Sequence, residues 1–406
     1  MKFVIAREDL IEAMGKLQNV VSQRPALPLL ANFLLEAKDG ELVMTATDLT
    51  VGVRCWLGAH ITREGGTTLP ARRFFQLVRE LTAAQVEIDT DSSELTCVRC
   101  GSSQFKLCGM ARTEFPQLPL FDRASSFKLS QTELKELFFR TSFAVSKEDS
   151  RYALTGVLMH ISEGRLTLVG TDGKRLAKCF STTELPVEIE GSYIIPSKAV
   201  DEVFKTLRDT EEEIVEVFLD GDKVAFDYNK TRLMTKLVAG DYPDYQRVIP
   251  PECKVEIHLH REELMSLLRQ VSLFTTEANP SIRCCLDQEM LTLSAVNAEI
   301  GEGKVQMPLH YEGPRFDIAF NPGYFLDILR HCRQETVTLG LIDAFNPGMI
   351  SDEERTLFVL MPMRLVDLPK ELASSKEDEP VVQQPDSEDE NVGVAEQIEP
   401  EMAPPL

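Results

Sequence analysis

Gly40-Glu41-Leu42-Val43-Met44-Thr45-Ala46-Thr47-Asp48 returns 124 residues later as Gly164-Arg165-Leu166-Thr167-Leu168-Val169-Gly170-Thr171-Asp172, and about 125 further on as Glu289-Met290-Leu291-Thr292-Leu293-Ser294-Ala295-Val296-Asn297. In each copy alternate positions are apolar and end on a small residue: Leu42, Met44, Ala46; Leu166, Leu168, Gly170; Leu291, Leu293, Ala295. That alternation predicts a strand with one face on a core. Recurrence at this period makes the chain a tandem repeat of domains.

Working outward, each copy holds two helical patterns. The first starts at Arg7-Glu8-Asp9-Leu10, at Ser130-Gln131-Thr132-Glu133-Leu134 and at His260-Arg261-Glu262-Glu263-Leu264, with a capping-box pattern in Ser130 and Glu133. The second opens near Pro70, Pro196 and Pro322, where proline suits a first turn whose N–H groups lack partners. Apolar residues follow at helical spacing: Phe74 and Leu77, Val200 and Val203, Leu326 and Leu329. Alternating strands with hairpin signals come next, as in 215–226 around Asp220-Gly221-Asp222. The fold class expected is α+β: three copies of two helices packed on antiparallel sheets, over 1–124, 125–250 and 251–365.

Residues 366–406 differ in kind. They hold 12 acidic residues against Lys370 and Lys376, six prolines and no aromatic residue, so they take −10 of the chain's net −22 and are expected to be a disordered acidic tail. The body keeps −12, which argues against a conventional basic nucleic-acid binder. Yet the six helix windows together carry 15 basic and 12 acidic residues, leaving −15 for the rest of the body. The helices are the relatively basic layer, suited to weak, salt-sensitive, sequence-independent contact with a polyanion. An open row of three like domains also has two unlike ends, which can join head to tail into a closed ring.

No apolar run reaches the roughly 20 residues of a membrane helix, and Met1-Lys2-Phe3-Val4-Ile5-Ala6-Arg7-Glu8 has no secretory h-region, so a cytoplasmic location is expected. Nine cysteines, irregularly placed, fit a reducing compartment. Cys97 and Cys100 fall on a strand, where i and i+3 face opposite ways, and His258 and His260 share a strand face without a third ligand; no metal or cofactor is expected. Nor is catalysis. Thr47-Asp48 and Thr171-Asp172 sit at equal places in separate copies, so they cannot converge as a dyad, and they read instead as turns. Gly170-Thr171-Asp172-Gly173-Lys174 lacks P-loop spacing.

With the repeat established, other stretches become informative: Met1-Lys2-Phe3, Arg24-Pro25-Ala26-Leu27-Pro28, Thr171-Asp172-Gly173-Lys174-Arg175-Leu176-Ala177, Tyr242-Pro243-Asp244-Tyr245-Gln246-Arg247-Val248 and Met361-Pro362-Met363-Arg364-Leu365. Over residues 1–365 the chain resembles the bacterial DNA polymerase III beta subunit family, the sliding clamps. The resemblance implies three tandem DNA-clamp domains per chain and six per dimeric ring, with helices inside and sheets outside. Such a ring encircles duplex DNA without sequence specificity and tethers polymerases, giving processive synthesis; it is a non-catalytic processivity factor. The partners implied are double-stranded DNA, a second copy of the chain, the DNA polymerase III catalytic subunit, the clamp loader, and other DNA polymerases and repair proteins.

The family's pocket for hydrophobic partner peptides, between domains 2 and 3, carries over to Leu154, Thr171, Gly173, Lys174, Arg175, Leu176, Pro243, Arg247, Val248, Val359, Met361, Pro362, Met363 and Arg364. Leucine, valine and adaptable methionine suit a surface that accepts varied peptides. DNA contact carries over to Arg24, Arg72, Arg73, Arg151 and Lys198, while Glu148 stands where the family commonly has a neutral polar residue. Self-association is expected where Phe105 and Leu107 of one copy meet Leu273 and Phe274 of the next. The tail has no counterpart in the usual family pattern. A clamp-fold interaction scaffold that does not encircle DNA is the other reading.

Overall fold

Each copy of the repeat builds one helix pair and two runs of antiparallel strands, nine strands in the first copy and eight in each of the others. The computed structural model describes residues 1–22, 27–121, 124–210, 212–311 and 313–364; Arg24, Leu365 and the acidic segment lie outside them. The first copy comprises β1 (Lys2–Ala6), α1 (Arg7–Leu17), β2 (Asn32–Lys38), β3 (Glu41–Thr47), β4 (Val51–Gly58), β5 (His60–Arg63), β6 (Gly65–Pro70), α2 (Ala71–Glu80), β7 (Gln85–Thr90), β8 (Leu95–Cys100) and β9 (Ser103–Cys108). The second comprises β10 (Ser125–Ser130), α3 (Gln131–Thr141), β11 (Gly156–Ser162), β12 (Arg165–Thr171), β13 (Arg175–Glu184), β14 (Gly191–Pro196), α4 (Ser197–Thr206), β15 (Ile214–Asp220), β16 (Lys223–Tyr228) and β17 (Thr231–Lys236). The third comprises β18 (Val255–His260), α5 (Arg261–Ser272), β19 (Ile282–Asp287), β20 (Met290–Asn297), β21 (Gly301–Pro308), β22 (Phe316–Phe320), α6 (Pro322–Arg330), β23 (Thr336–Leu341), β24 (Gly348–Glu353) and β25 (Thr356–Leu360).

The repeated strands are β3, β12 and β20. Their alternate residues Leu42, Met44, Ala46, Leu166, Leu168, Leu291, Leu293 and Ala295 are all buried. The helices cover that face, α1 packing on β4, α3 on β13 and α5 on β21, each with its second helix alongside. Apolar burial on this side is the main stabilising term, since it removes the inner-facing apolar residues of the central strands from water.

Local signals hold with instructive exceptions. Ser130 Oγ accepts the Glu133 N–H at 3.1 Å, and the His260 ring caps α5 through the Glu263 N–H at 3.3 Å. Glu133 does not complete the capping box, because its carboxylate turns to the hydroxyls of Ser181 and Thr182 and the Thr182 N–H (2.7, 3.0 and 2.7 Å). Only Pro322 lies within the first helical turn; Pro70 and Pro196 end their strands and stand at the cap position. In α2 it is Val78 that is fully buried, while Leu77 stays partly exposed. Cys97 is half-buried and Cys100 buried on the opposite face of β8, and His258 bonds the Thr338 hydroxyl at 3.0 Å.

The sheets do not respect the copies. One eight-stranded sheet runs β10-β15-β16-β17-β4-β3-β2-β6 and a second runs β14-β11-β12-β13-β25-β24-β23-β18. The first joins copies one and two through β17 and β4, the second joins copies two and three through β25 and β13. Both junctions have the same register. Thr231 pairs with Cys55 and Thr356 with Cys179, and in each case the threonine hydroxyl lies against the thiol, at 3.7 and 3.5 Å. The remaining sheets, β5-β1-β7-β8-β9 and β21-β20-β19-β22, leave β9 and β21 as open edges.

Candidate functional site

The turn between a repeated strand and its neighbour is built identically in all copies. Asp48 Oδ1 accepts the N–H groups of Thr50 and Val51 (2.9 and 2.7 Å), Asp172 Oδ1 those of Lys174 and Arg175 (2.9 and 3.0 Å), and Asn297 Oδ1 those of Glu299 and Ile300 (2.8 and 3.1 Å). These residues shape turns, as their side chains commonly do. In the second copy the residue after Asp172 is Gly173, at φ +81° where the first copy has Leu49 at +77°; here glycine also leaves room for Arg151, whose Nη1 would lie 2.6 Å from a Cβ.

That turn sits where β13 meets β25, and there the structure brings together most of the residues expected for a partner-peptide pocket. Leu176 is the register partner of Val359, the Met361 N–H donates to the Lys174 carbonyl at 3.0 Å, and the Met363 N–H donates to Ala319 at 2.7 Å. Leu176 and Val359 belong to a small apolar cluster on the face away from the helices, with Leu158, Val169, Ile194 and Val238, against which Tyr242, Tyr245 and Ile249 pack. Burial pushes the Tyr242 hydroxyl pKa up. Leu154, Thr171, Arg175, Leu176 and Val359 are all under a tenth exposed and form a floor. The accessible rim is Gly173, Lys174, Pro243, Arg247, Val248, Met361 and Arg364, with Pro362 and Met363 half-buried beside it.

Arg175 is held in place from several sides. It bonds Asp172 (3.2 Å), Asp327 of α6 (2.6 Å) and the Phe143 carbonyl (3.0 Å), and its guanidinium lies over the rings of Phe143 and Tyr324. It therefore ties the turn to the third copy. Arg151 belongs here too. Carried over as a DNA contact, it is exposed on the 3-10 segment that follows α3, and it donates to the Asp172 carbonyl at 2.7 Å because the chain there swings back over the β12–β13 turn. Phe345, which sequence reasoning passed over, is 90% exposed on the β23–β24 loop. Asp343 Oδ1 fixes that loop through the Phe345 and Asn346 N–H groups, both at 2.8 Å. Since Gly348 is the register partner of Leu360, the loop lies at the same end of the sheet as Met361. A lone phenylalanine within Asp343-Ala344-Phe345-Asn346-Pro347 was the available signal.

The helix layer divides by position. α2 exposes Arg72, Arg73 and Arg79 with Glu80, and α4 exposes Lys198 and Lys205 with Asp201; α1 exposes Glu8, Asp9 and Glu12, and α5 exposes Glu262 and Glu263 with Arg269. The basic excess read from the sequence is thus greatest on α2, while on α4 Lys198 and Lys205 are balanced by Asp201 and Glu202. Arg72 and Arg73 make no ion pair among the described residues, whereas Lys198 pairs with Asp48 across the first junction. At the open edges, Phe105 is 40% exposed on β9 and Leu273 is 73% exposed. Leu107 is partly buried, and the Phe274 ring covers Gly303, closing the space a Cβ would need.

Three equivalent α+β units sharing sheets edge to edge, with helices on one face, define the DNA-clamp class. Residues 1–119, 128–244 and 246–364 match the N-terminal, central and C-terminal domains of the DNA polymerase III beta subunit. The chain is 49% identical over 367 residues to the beta sliding clamp of Chlamydia muridarum, covering 90% of this chain and 100% of that protein. It is 31% identical to that of Haemophilus influenzae with the same coverages. Among solved structures, the DNA polymerase sliding clamp of Pseudomonas aeruginosa superposes with a TM-score of 0.86 at 29% identity, and that of Bacillus subtilis with 0.86 at 27% identity, each covering 90% of this chain and all of the other. The chain belongs to the bacterial DNA polymerase III beta subunit family and is a sliding clamp. No helix among its described residues is long and apolar enough to cross a membrane.

Proposed function

We propose that two copies of this chain close head to tail into a six-domain ring that encircles duplex DNA and tethers the replicative polymerase. The domain limits in this reading are 1–124, 125–250 and 251–365. The observation that carries it is the repeated junction: β17 on β4 and β25 on β13 use equivalent edges in one register, and β9 and β21 are the same two edges left unpaired. Ser103, Thr231 and Thr356 each follow the two-residue turn of their hairpin. Cys55, Cys179 and Val305 each pair with the central residue of the repeated strand, Met44, Leu168 and Leu293. By the same register Ser103 meets Val305, Phe105 meets Gly303 with Phe274 lying over it, and Lys106 meets Glu302. The chemistry agrees, for an aromatic residue falls opposite a glycine already roofed by an aromatic ring, and a cation falls opposite an anion.

Arg72, Arg73, Arg151 and Lys198, with Arg24, supply the DNA-facing charge, through phosphate contacts that carry no sequence information. The β13–β25 site takes hydrophobic segments of the polymerase, the clamp loader and repair proteins on the rim formed by Val248, Met361, Met363 and Phe345. Arg151 and Arg175 hold the turn beneath. The role is non-catalytic.

Loading on nicked circular DNA followed by linearisation tests the ring: the protein should stay on closed circles and leave through free ends. Retention after linearisation, or failure to stay on circles, would favour the scaffold reading. Replacing Met363 or Leu176 by alanine should weaken a hydrophobic partner peptide by about 1–4 kcal/mol without altering the dimer.

A further inference from the structure

The first junction contains a polar feature that the clamp function does not use. Arg54 on β4 is the register partner of Arg232 on β17 and, on its other side, of Thr45 on β3, so the three side chains stand in one row on the face away from the helices. Arg232 is satisfied by Asp227, with Nε at 2.6 Å from the carboxylate. Arg54 is not. It is partly buried, makes no ion pair among the described residues, and its buried Nε has no hydrogen-bond partner. Thr45 is 1% exposed, and its Oγ1 is likewise without a partner. The row is partly covered because the segment following β9 crosses this face, burying Thr45 and leaving Arg54 and Arg232 half-buried. Phe115 packs with Leu34, the neighbour of Thr45, and Leu118 lies against Gly52, two residues from Arg54. Glu36 offsets the charge in part, but burial together with the adjacent Arg232 holds the Arg54 pKa down.

Burying a cation beside a like charge, with a hydroxyl and a guanidinium N–H unmatched, is costly unless a counter-charge fills the gap. We propose that Arg54, Thr45 and Arg232 form a binding site for a small oxyanion, phosphate or carboxylate, which bridges the first two domains across the β4–β17 junction. Arginine's planar fork and a hydroxyl donor suit two oxygens of such a group. This goes beyond DNA encirclement and partner binding, and it does not depend on them.

The test follows thermal unfolding of the full chain in inorganic phosphate, acetate or chloride at matched ionic strength, for the parent, Arg54→Leu and Thr45→Val. In chloride, Arg54→Leu should unfold no lower than the parent, because it removes a half-buried cation that, among the described residues, only Glu36 offsets, without an ion pair or a partner for its Nε. Phosphate or acetate should raise the parent's midpoint and leave Arg54→Leu unmoved, and whichever anion acts names the source. Thr45→Val should need about tenfold more anion for the same shift, the effect of one lost hydrogen bond. A parent that responds to neither oxyanion beyond chloride, or an Arg54→Leu protein that responds equally, overturns the proposal.

Discussion

Replacing Arg140 by methionine should loosen the second junction about as much as truncating a large buried apolar residue there. Arg140 is 1% exposed and bonds Glu136 at 2.7 Å, both oxygens of Asp352 at 2.9 and 2.8 Å, the His331 carbonyl at 2.8 Å and Glu353 at 3.1 Å. Asp352 has a fully buried side chain, so removing its cation leaves an uncompensated charge, a change that costs about 3–5 kcal/mol. The lower end is expected. Asp352 keeps the Gln334 N–H at 3.2 Å, Glu136 keeps Arg333 at 2.9 Å, and Glu353 keeps Arg355 at 2.9 Å. About 3 kcal/mol is therefore the loss to look for in denaturant unfolding. Hydrogen exchange should show it falling on β13, β24 and β25, since the single tryptophan, Trp56, reports on the first copy. Arg140→Met with Asp352→Leu should recover most of the loss, because both charges then leave together. An Arg140→Met protein within about 1 kcal/mol of the parent, against the expected cost of breaking a buried pair, would refute the account of this network.

Three further outcomes are expected. Lys106→Glu or Glu302→Lys alone should weaken self-association, each contact being worth about 0.2–1 kcal/mol and occurring twice in a two-fold ring, and the combined swap should restore it by sedimentation; a swap no better than the singles would displace the inferred register. Burial lifts the Glu136 carboxyl, but its hydrogen bonds to Arg333 and Arg140 outweigh this and leave its pKa lowered. Its stabilising share is accordingly full above the unfolded value of about 4.3 and lost as pH falls through the lower folded value, so Glu136→Gln should flatten the acid limb of a stability–pH curve. Removing residues 366–406 takes away −10 of the −22 net charge, and any gain in DNA retention at low salt should fade as the screening length drops below about 8 Å; equal retention at low salt would make the segment electrostatically neutral in function.

The tandem repeat, the strand faces and the helix starts were legible along the chain because they are local. Period-2 alternation in 42–46, 166–170 and 291–295 and the Asp48, Asp172 and Asn297 turns depend on residues a few positions apart, and the structure keeps them all. Ser130 shows where local reading ends. Its hydroxyl caps α3 as the motif predicts, but Glu133 is drawn to Ser181 and Thr182, a competition between side chains some fifty residues apart that no window contains. Arg151 and Arg175 show the same limit at the candidate site, since a single sequence gives the charge of an arginine and not the carbonyl, carboxylate or ring that will claim it. Which edges meet was likewise beyond the sequence. The pairings β17 with β4 and β25 with β13 join strands more than 170 residues apart, and only the folded chain, by satisfying those edges and leaving β9 and β21 open, decides which edges are free for the proposed second copy.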